Sequence, residues 1–246
     1  MKTILITGCS SGFGLETARY FLDRDWTVIA TMRTPREDLL PRSERLRIVS
    51  LDVTDPDSIR RAVDEAGAID VLVNNAGIGL LGALEGVAME TAREVFETNT
   101  FGTMAMTQAV LPQFRERRSG VIINVTSSVT LKPLHLLSVY TASKAAVNAF
   151  TESLALELEP FGVRAHLVLP GRAPETSFGE SARRSRIHIP EPYSPLAQSV
   201  FAAWQQSTMV TRALDVAEAV WRVANDPSCP MRLVAGADAV ALTSAA

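Results

Sequence analysis

Six short runs of apolar and β-branched residues punctuate the chain: TILIT (3–7), TVIAT (27–31), RIVSLD (47–52), IDVLVN (69–74), GVIINVT (120–126) and VRAHLVL (163–169). The runs are nearly continuous rather than alternating, so each strand must be covered on both faces. That is the pattern of a parallel sheet lying between two layers of helices. Helix-length segments at about 13–24, 57–66, 89–118, 139–159 and 214–225 separate the runs, with 89–118 forming one long helix or two in succession. A seventh short strand near MRLVAG (231–236) completes an α/β sheet of about seven strands. No repeat, low-complexity tract or Gly/Ser linker divides residues 1–246, and α/β folds reach this length as a single domain.

The stretch 171–212 breaks the rhythm. It follows a strand and carries four of the 13 prolines, and insertions there lie at the carboxyl ends of the strands, where open α/β sheets bind ligands. It is expected either to close over a substrate or to make subunit contacts. Composition narrows the remaining classes: 47% hydrophobic and 21% charged residues suit a globular protein, and a net charge of −3 leaves no basic footprint for nucleic acid. The arginine clusters RERR (115–118) and ARRSR (182–186) are short and read as solvated helix ends. Cys9 and Cys229 stand far apart, without ligand spacing to His135, His166 or His188, so reduced thiols and no metal site are expected. The opening apolar run is too short for a signal peptide and no run of eighteen apolar residues occurs, so a cytoplasmic protein without a membrane partner is expected.

Two motifs carry chemistry. After the first strand comes TGCSSGFG, with Thr7, Gly8, Gly12 and Gly14. Glycines here permit positive φ and close approach of a pyrophosphate, and the following helix offers its N-terminal N–H groups to the anion. The second is SVYTASKAAVNAF, where Tyr140 and Lys144 stand four apart and therefore on one helix face. The chain holds 21 Arg and three Lys, so a lysine here is a choice of compact ammonium over forked guanidinium. Beside a phenol it would favour the ionised form.

In order along the chain, TGCSSGFG (7–14), LDVTD (51–55), NNAG (74–77), NTFG (99–102), NVTSS (124–128), YTASK (140–144) and LPG (169–171) resemble the motifs of the short-chain dehydrogenase/reductase family. The first of these and VIATMR (28–33) are most similar to its hydroxysteroid and retinol dehydrogenase branch. The resemblance implies a single-domain Rossmann fold and hydride transfer between a nicotinamide cofactor and a carbonyl/alcohol pair. It implies a catalytic tetrad of Asn99, Ser127, Tyr140 and Lys144: Tyr140 as general acid/base, Ser127 hydrogen-bonding the substrate oxygen, Lys144 holding the nicotinamide ribose and lowering the Tyr140 pKa, and Asn99 binding a relay water. It further implies that Gly8, Ser10, Ser11, Gly12, Phe13, Gly14, Arg33, Asp52, Val53, Asn75, Ala76, Gly77, Pro170, Gly171 and Thr176 line the cofactor, joined by Tyr140 and Lys144.

Two positions depart from the family pattern. Thr130 stands where many relatives have glycine. The threonine expected five positions after Pro170 is Glu175, with Thr176 next, so either the loop bulges by one residue or the carboxamide is held differently. The second strand leads into Met32 and Arg33 with no acidic residue to accept from a ribose 2′-hydroxyl, and Arg33 with Ser11 would suit a 2′-phosphate. NADP(H) is therefore expected over NAD(H). The expected substrate wall is 131–139 with Phe178, Ile187, Tyr193, Leu196 and Phe201, mainly apolar and so suited to a small-molecule partner that is a bulky hydrophobic ketone, aldehyde or secondary alcohol. A homodimer or homotetramer is implied by the resemblance, and an inactive nucleotide-sensing protein on the same fold is the alternative.

Overall fold

A computed structural model describes residues 1–176 and 189–244. Strands β1 (Thr3–Ile6), β2 (Thr27–Met32), β3 (Leu46–Ser50), β4 (Val71–Asn74), β5 (Gly120–Val125), β6 (Val163–Pro170) and β7 (Arg232–Ala235) form one sheet in the order β3-β2-β1-β4-β5-β6-β7. Every neighbouring pair is parallel. The helices are α1 (Gly12–Leu22), α2 (Pro56–Ala66), α3 (Met89–Phe96), α4 (Gly102–Arg117), α5 (Ser138–Leu158), α6 (Ser194–Gln206), α7 (Ala213–Asn225) and α8 (Ala237–Ser244). This is the Rossmann-type sheet expected.

The continuous apolar strands do cover two faces. Ile4, Ile6, Val28, Ala30, Val71, Val73, Val121 and Ile123 pack beneath α1 and α7, against Phe21, Leu22, Val216, Val220 and Val223. Leu5, Ile29, Leu72 and Ile122 face the other way, against Met106, Val110 and Phe114 of α4 and Leu154 and Leu158 of α5. Truncating a fully buried ring such as Phe21 or Phe114 to alanine would cost about 3–5 kcal/mol. The side-chain period of two thus divides each strand between two cores.

The chain reverses its winding at β1. From β3 it crosses back through α2 to place β4 on the other side of β1, and the crevice beyond the carboxyl ends of β1 and β4 is the topological switch point. Helix α2 starts there cleanly: Asp55 accepts from the Asp57 N–H at 2.9 Å, with Pro56 in the first turn.

The 89–118 segment is two helices in succession, one of the two arrangements expected, joined by a π turn over Glu97–Phe101, an interruption of the kind found at functional sites. Two features differ from expectation. The 171–212 excursion contains a regular helix, α6, with Pro195 at its start. Helix α8 follows β7 where no helix was expected, because its short apolar sequence has no helical period to read. Phe178, Ile187 and the ARRSR cluster lie outside the described residues. Among the described residues, no helix is long and apolar enough to cross a membrane.

Candidate active site

Thr7 continues β1 into the crevice and acts as its hub. Its N–H donates to the Val73 carbonyl at 3.0 Å, and its Oγ1 accepts from the N–H groups of Asn75 and Ala76, each at 2.9 Å. Asn75 Nδ2 answers by donating to the carbonyls of Thr7 (2.9 Å) and Gly8 (3.2 Å). The glycine turn and the 75–77 segment are thereby one rigid piece. Side chains are excluded from it: a Cβ on Gly8 would stand 2.9 Å from the Ala76 Cα, and one on Gly14 would stand 2.4 Å from the Gly8 carbonyl oxygen. Gly8 and Gly12 also take left-handed φ of +74° and +57°. Such a bare turn at the start of α1 fits the pyrophosphate of a dinucleotide. Ser10 is exposed, Ser11 opens α1, and Phe13 packs back against the α1 core.

Asn74 plays a structural part, its amide donating to Asn124 Oδ1 (2.9 Å) and Thr107 Oγ1 (3.1 Å) in the buried sheet. Asp52 Oδ1 accepts from the Thr54 N–H and hydroxyl at 2.9 and 2.7 Å, the turn-forming role open to any Asp at that position. Partial burial works to raise its carboxyl, but the Thr54 donors and nearby Arg33 hold it below the ordinary range. Val53 is buried against Gly102 at the start of α4.

The second strand requires a correction. Met32, expected just after the second strand where an acidic side chain would read the ribose, is instead the last residue of β2, paired with Ser50 and buried in the α1 core at 2% exposure. Arg33 is the first exposed side chain after the strand.

At the end of β5, Ser127 is extended and buried, and its side chain faces the Tyr140 phenol. Tyr140 and Lys144 both lie on the buried side of α5. Lys144 Nζ donates to the Val125 carbonyl at 3.1 Å. It also stands beside Asn99 Oδ1 beneath Gly77, where an added Cβ would come within 3.3 Å of Nζ and 3.1 Å of Oδ1. Asn99 sits in the π turn and is fully buried. Its Oδ1 accepts from the Ile78 N–H at 2.8 Å, and its Nδ2 donates to the Ile78 carbonyl (3.0 Å) and Ser143 Oγ (3.1 Å). Ser143 in turn donates to the Tyr140 carbonyl at 2.7 Å. The four residues singled out by sequence are therefore brought together, with Ser143 as a link that the pattern did not single out.

Their proton affinities run against expectation. Burial pushes the Tyr140 phenol up to about 12, the Ser127 hydrogen bond opposing it, and burial pulls the Lys144 ammonium down to about 8. Among the protein's own groups, desolvation outweighs any lowering of Tyr140 by Lys144.

Across the site, Pro170 ends β6 and Gly171 donates its N–H to Thr211 Oγ1 at 2.9 Å. Asp238, opening α8, accepts from Thr211 Oγ1 (2.7 Å) and from the Arg172 N–H (2.5 Å), so both ends of the 171–212 excursion are tied to one carboxylate. Pro174 and Glu175 form a turn, with the Thr176 N–H and hydroxyl donating to the Ala173 carbonyl at 3.2 and 2.8 Å. The turn brings the Thr176 side chain over Gly12. Tyr140 packs with Leu80, Val95, Val129 and Leu137, and Trp204 of α6 reaches this cluster. Tyr193, Leu196 and Trp204 also join a second apolar cluster around Leu136 and Ala83, while the Tyr193 phenol donates to the Glu85 carboxylate. Phe201 is more exposed and meets Trp204 edge-on.

Residues 2–186 match the family model described as short chain dehydrogenase. The chain is 42% identical over 174 residues to the 3-ketodihydrosphingosine reductase of Bacteroides thetaiotaomicron, a match covering 69% of this chain and 63% of that protein. It is 34% identical to retinol dehydrogenase 8 of Homo sapiens over 94% of this chain and 80% of the relative, in keeping with the hydroxysteroid and retinol branch. The closed form of serine dehydrogenase complexed with NADP+ superposes with a TM-score of 0.82 at 30% identity, covering 96% of this chain and 95% of that one. With the parallel sheet, the glycine turn at its switch point and the Ser127–Tyr140–Lys144 cluster in place, the chain belongs to the short chain dehydrogenase family of oxidoreductases.

Proposed function

We propose that the protein is an NADP(H)-dependent oxidoreductase that interconverts a hydrophobic ketone or aldehyde and its alcohol, with Tyr140 as general acid/base. The observation that carries this reading is the placement of the buried Ser127 and Tyr140 side chains against one another, directly beyond the end of β5, with Lys144 on the same face of α5. Two hydroxyls so placed can both donate to one carbonyl oxygen. Ser127 would stabilise the charge developing on that oxygen, and Tyr140, protonated at neutral pH, would transfer its proton to it. When bound, the nicotinamide supplies or accepts the hydride. The bare turn of Gly8, Gly12 and Gly14 suits its pyrophosphate, Asp52 and Val53 would meet its adenine end, and Lys144 beside Asn99 would hold the ribose beneath Gly77.

The preference for NADP(H) is supported by exposed Arg33 at the end of β2, where no acidic side chain competes for the ribose, and by the NADP+ complex of serine dehydrogenase. A hydrophobic substrate is supported by the apolar surroundings of Tyr140 and by Trp204 of α6, which packs against them. Membership of the family supports a homodimer or homotetramer.

The test is oxidation of NADPH against a panel of hydrophobic carbonyls. Tyr140→Phe should lower turnover at least about a hundredfold while NADPH still binds. Full activity in that variant would overturn the assignment.

A further inference from the structure

Something must hold the Ser127 loop in place when a substrate oxygen enters between the Ser127 and Tyr140 hydroxyls. Ser127's own cap contact is long, its Oγ accepting from the Val129 N–H at 3.3 Å. Its carbonyl is held more firmly, accepting from the Thr130 N–H at 3.2 Å and the Thr130 hydroxyl at 2.8 Å. That hydroxyl also contacts Asn148 Nδ2 at 2.9 Å. A carbonyl can only accept, so the single Thr130 proton is committed to Ser127 and Thr130 must accept from Asn148. The same logic fixes which end of the Asn148 amide faces Thr130.

Asn148 is buried on α5, four residues beyond Lys144 and eight beyond Tyr140, on the same helix face. The chain Asn148 to Thr130 to the Ser127 carbonyl is therefore a strut between the serine loop and the face that carries the tyrosine. It does not pass through the reacting hydroxyls. A glycine at 130, which the family pattern places there, has no hydroxyl and cannot build it. Closer to the sheet, Lys144 to the Val125 carbonyl and Asn124 to Thr151 tie α5 to β5, so the strut extends this stitching past the strand end to the loop itself.

Resting on the proposed roles of Ser127 and Tyr140, we propose that Thr130 and Asn148 are positioning residues that keep Ser127 in register with Tyr140 while a substrate oxygen sits between their hydroxyls. Neither touches the reacting atoms. Their effect acts through Ser127, so it belongs to turnover and to the ionisation of Tyr140 rather than to cofactor binding. The Ser127 hydrogen bond lowers the proton affinity of Tyr140, and a loosened serine loop removes that influence.

The experiment compares Thr130→Val, which keeps the shape and removes the hydroxyl, with Thr130→Ser, which keeps the hydroxyl, and with Asn148→Leu. Thr130→Val and Asn148→Leu should each lower kcat about tenfold or more, as small misplacements of reacting groups do. The Kd for NADPH should stay unchanged, the double variant should be no worse than either single one, and Thr130→Ser should match the wild type. In alcohol oxidation, where Tyr140 must accept a proton, the acid limb of the kcat profile should move to higher pH in Thr130→Val. Wild-type kcat and pH profile in Thr130→Val would overturn the proposal. Crystal structures of wild type and Thr130→Val provide a readout independent of turnover: the Ser127 carbonyl and hydroxyl should shift relative to Tyr140, and unchanged positions would refute the strut. A wild type inert toward every carbonyl would refute the reductase reading and leave that structural comparison to decide the strut.

Discussion

Replacing Lys144 by methionine should make the protein more stable near neutral pH while disabling it. Burial lowers the Lys144 pKa from its ordinary 10.5 to about 8. At roughly 1.4 kcal/mol per pKa unit, the folded state therefore bears about 3 kcal/mol for keeping that ammonium charged near pH 7. Methionine fills similar volume without a charge, but it leaves the Val125 carbonyl without its 3.1 Å donor, which costs about 1 kcal/mol. The net gain is about 2 kcal/mol, or about 4–8 °C in Tm for a chain of this size. The sign reverses with pH. Below about 8 both folded and unfolded lysine are protonated and the whole penalty is present. Between about 8 and 10.5 the folded state has released its proton and the unfolded state has not, so wild-type stability climbs, and above that range the penalty is gone. Urea unfolding followed by tryptophan fluorescence should show the variant ahead at neutral pH and level with, or slightly behind, the wild type near pH 10. A variant less stable at neutral pH, or a gap that ignores pH, would refute the reasoning.

Two further outcomes follow from the same geometry. Arg33→Ala should weaken NADPH binding about tenfold to a hundredfold, the range for losing a charge-assisted phosphate contact, with NADH binding little changed. Fluorescence titration with both cofactors checks this, and equal losses for the two would remove Arg33 from the 2′-phosphate. His166 is buried on β6, its Nδ1 beside the Pro230 carbonyl at 3.0 Å and its Nε2 beside Arg164 at 3.3 Å. Burial lowers its pKa below the ordinary 6.5, with Arg164 adding to the effect against the Pro230 contact. The unfolded chain therefore takes up this proton first, and stability should fall as pH drops below about 6.5 until the folded imidazole also titrates. His166→Gln should flatten that fall in acid urea titrations, and an unchanged slope would show that other groups cause it.

The sheet was legible because a strand covered on both faces has to be largely apolar, and the inner strands come close to that demand, whereas edge strand β3 leaves Arg47 and Ser50 exposed. Helix α1 was legible for a related reason, since Gly8, Gly12 and Gly14 mark a turn that tolerates no side chain. What escaped has equally local causes. Helix α8 is short and apolar with no period. Helix α6 begins amid Pro190, Pro192 and Pro195, and proline clusters signal irregular chain even where Pro195 in fact opens a helix. The π turn at Asn99 has no sequence signature, because inserting one residue into a helix leaves composition untouched.

Within the site, spacing told which side chains share a helix face, but not how deeply that face is sunk. Tyr140 and Lys144 were readable as neighbours four apart. Their proton affinities were not, since depth of burial moves both in the direction that disfavours charge. The same missing variable misplaced Met32, which counts as the right position along β2 yet points into the core, while Arg33 reaches solvent. Thr130 is the converse case. In sequence it is a departure from a glycine and suggests a stiffer loop, and only the approach of Asn148 from two turns beyond Tyr140 turns that stiffness into a specific tie on Ser127. Pattern therefore names the reacting groups of this chain, whereas their reactivity depends on contacts made across elements far apart in sequence: β5 with α5, the π turn with the 75–78 segment, and α6 with the tyrosine's apolar cluster.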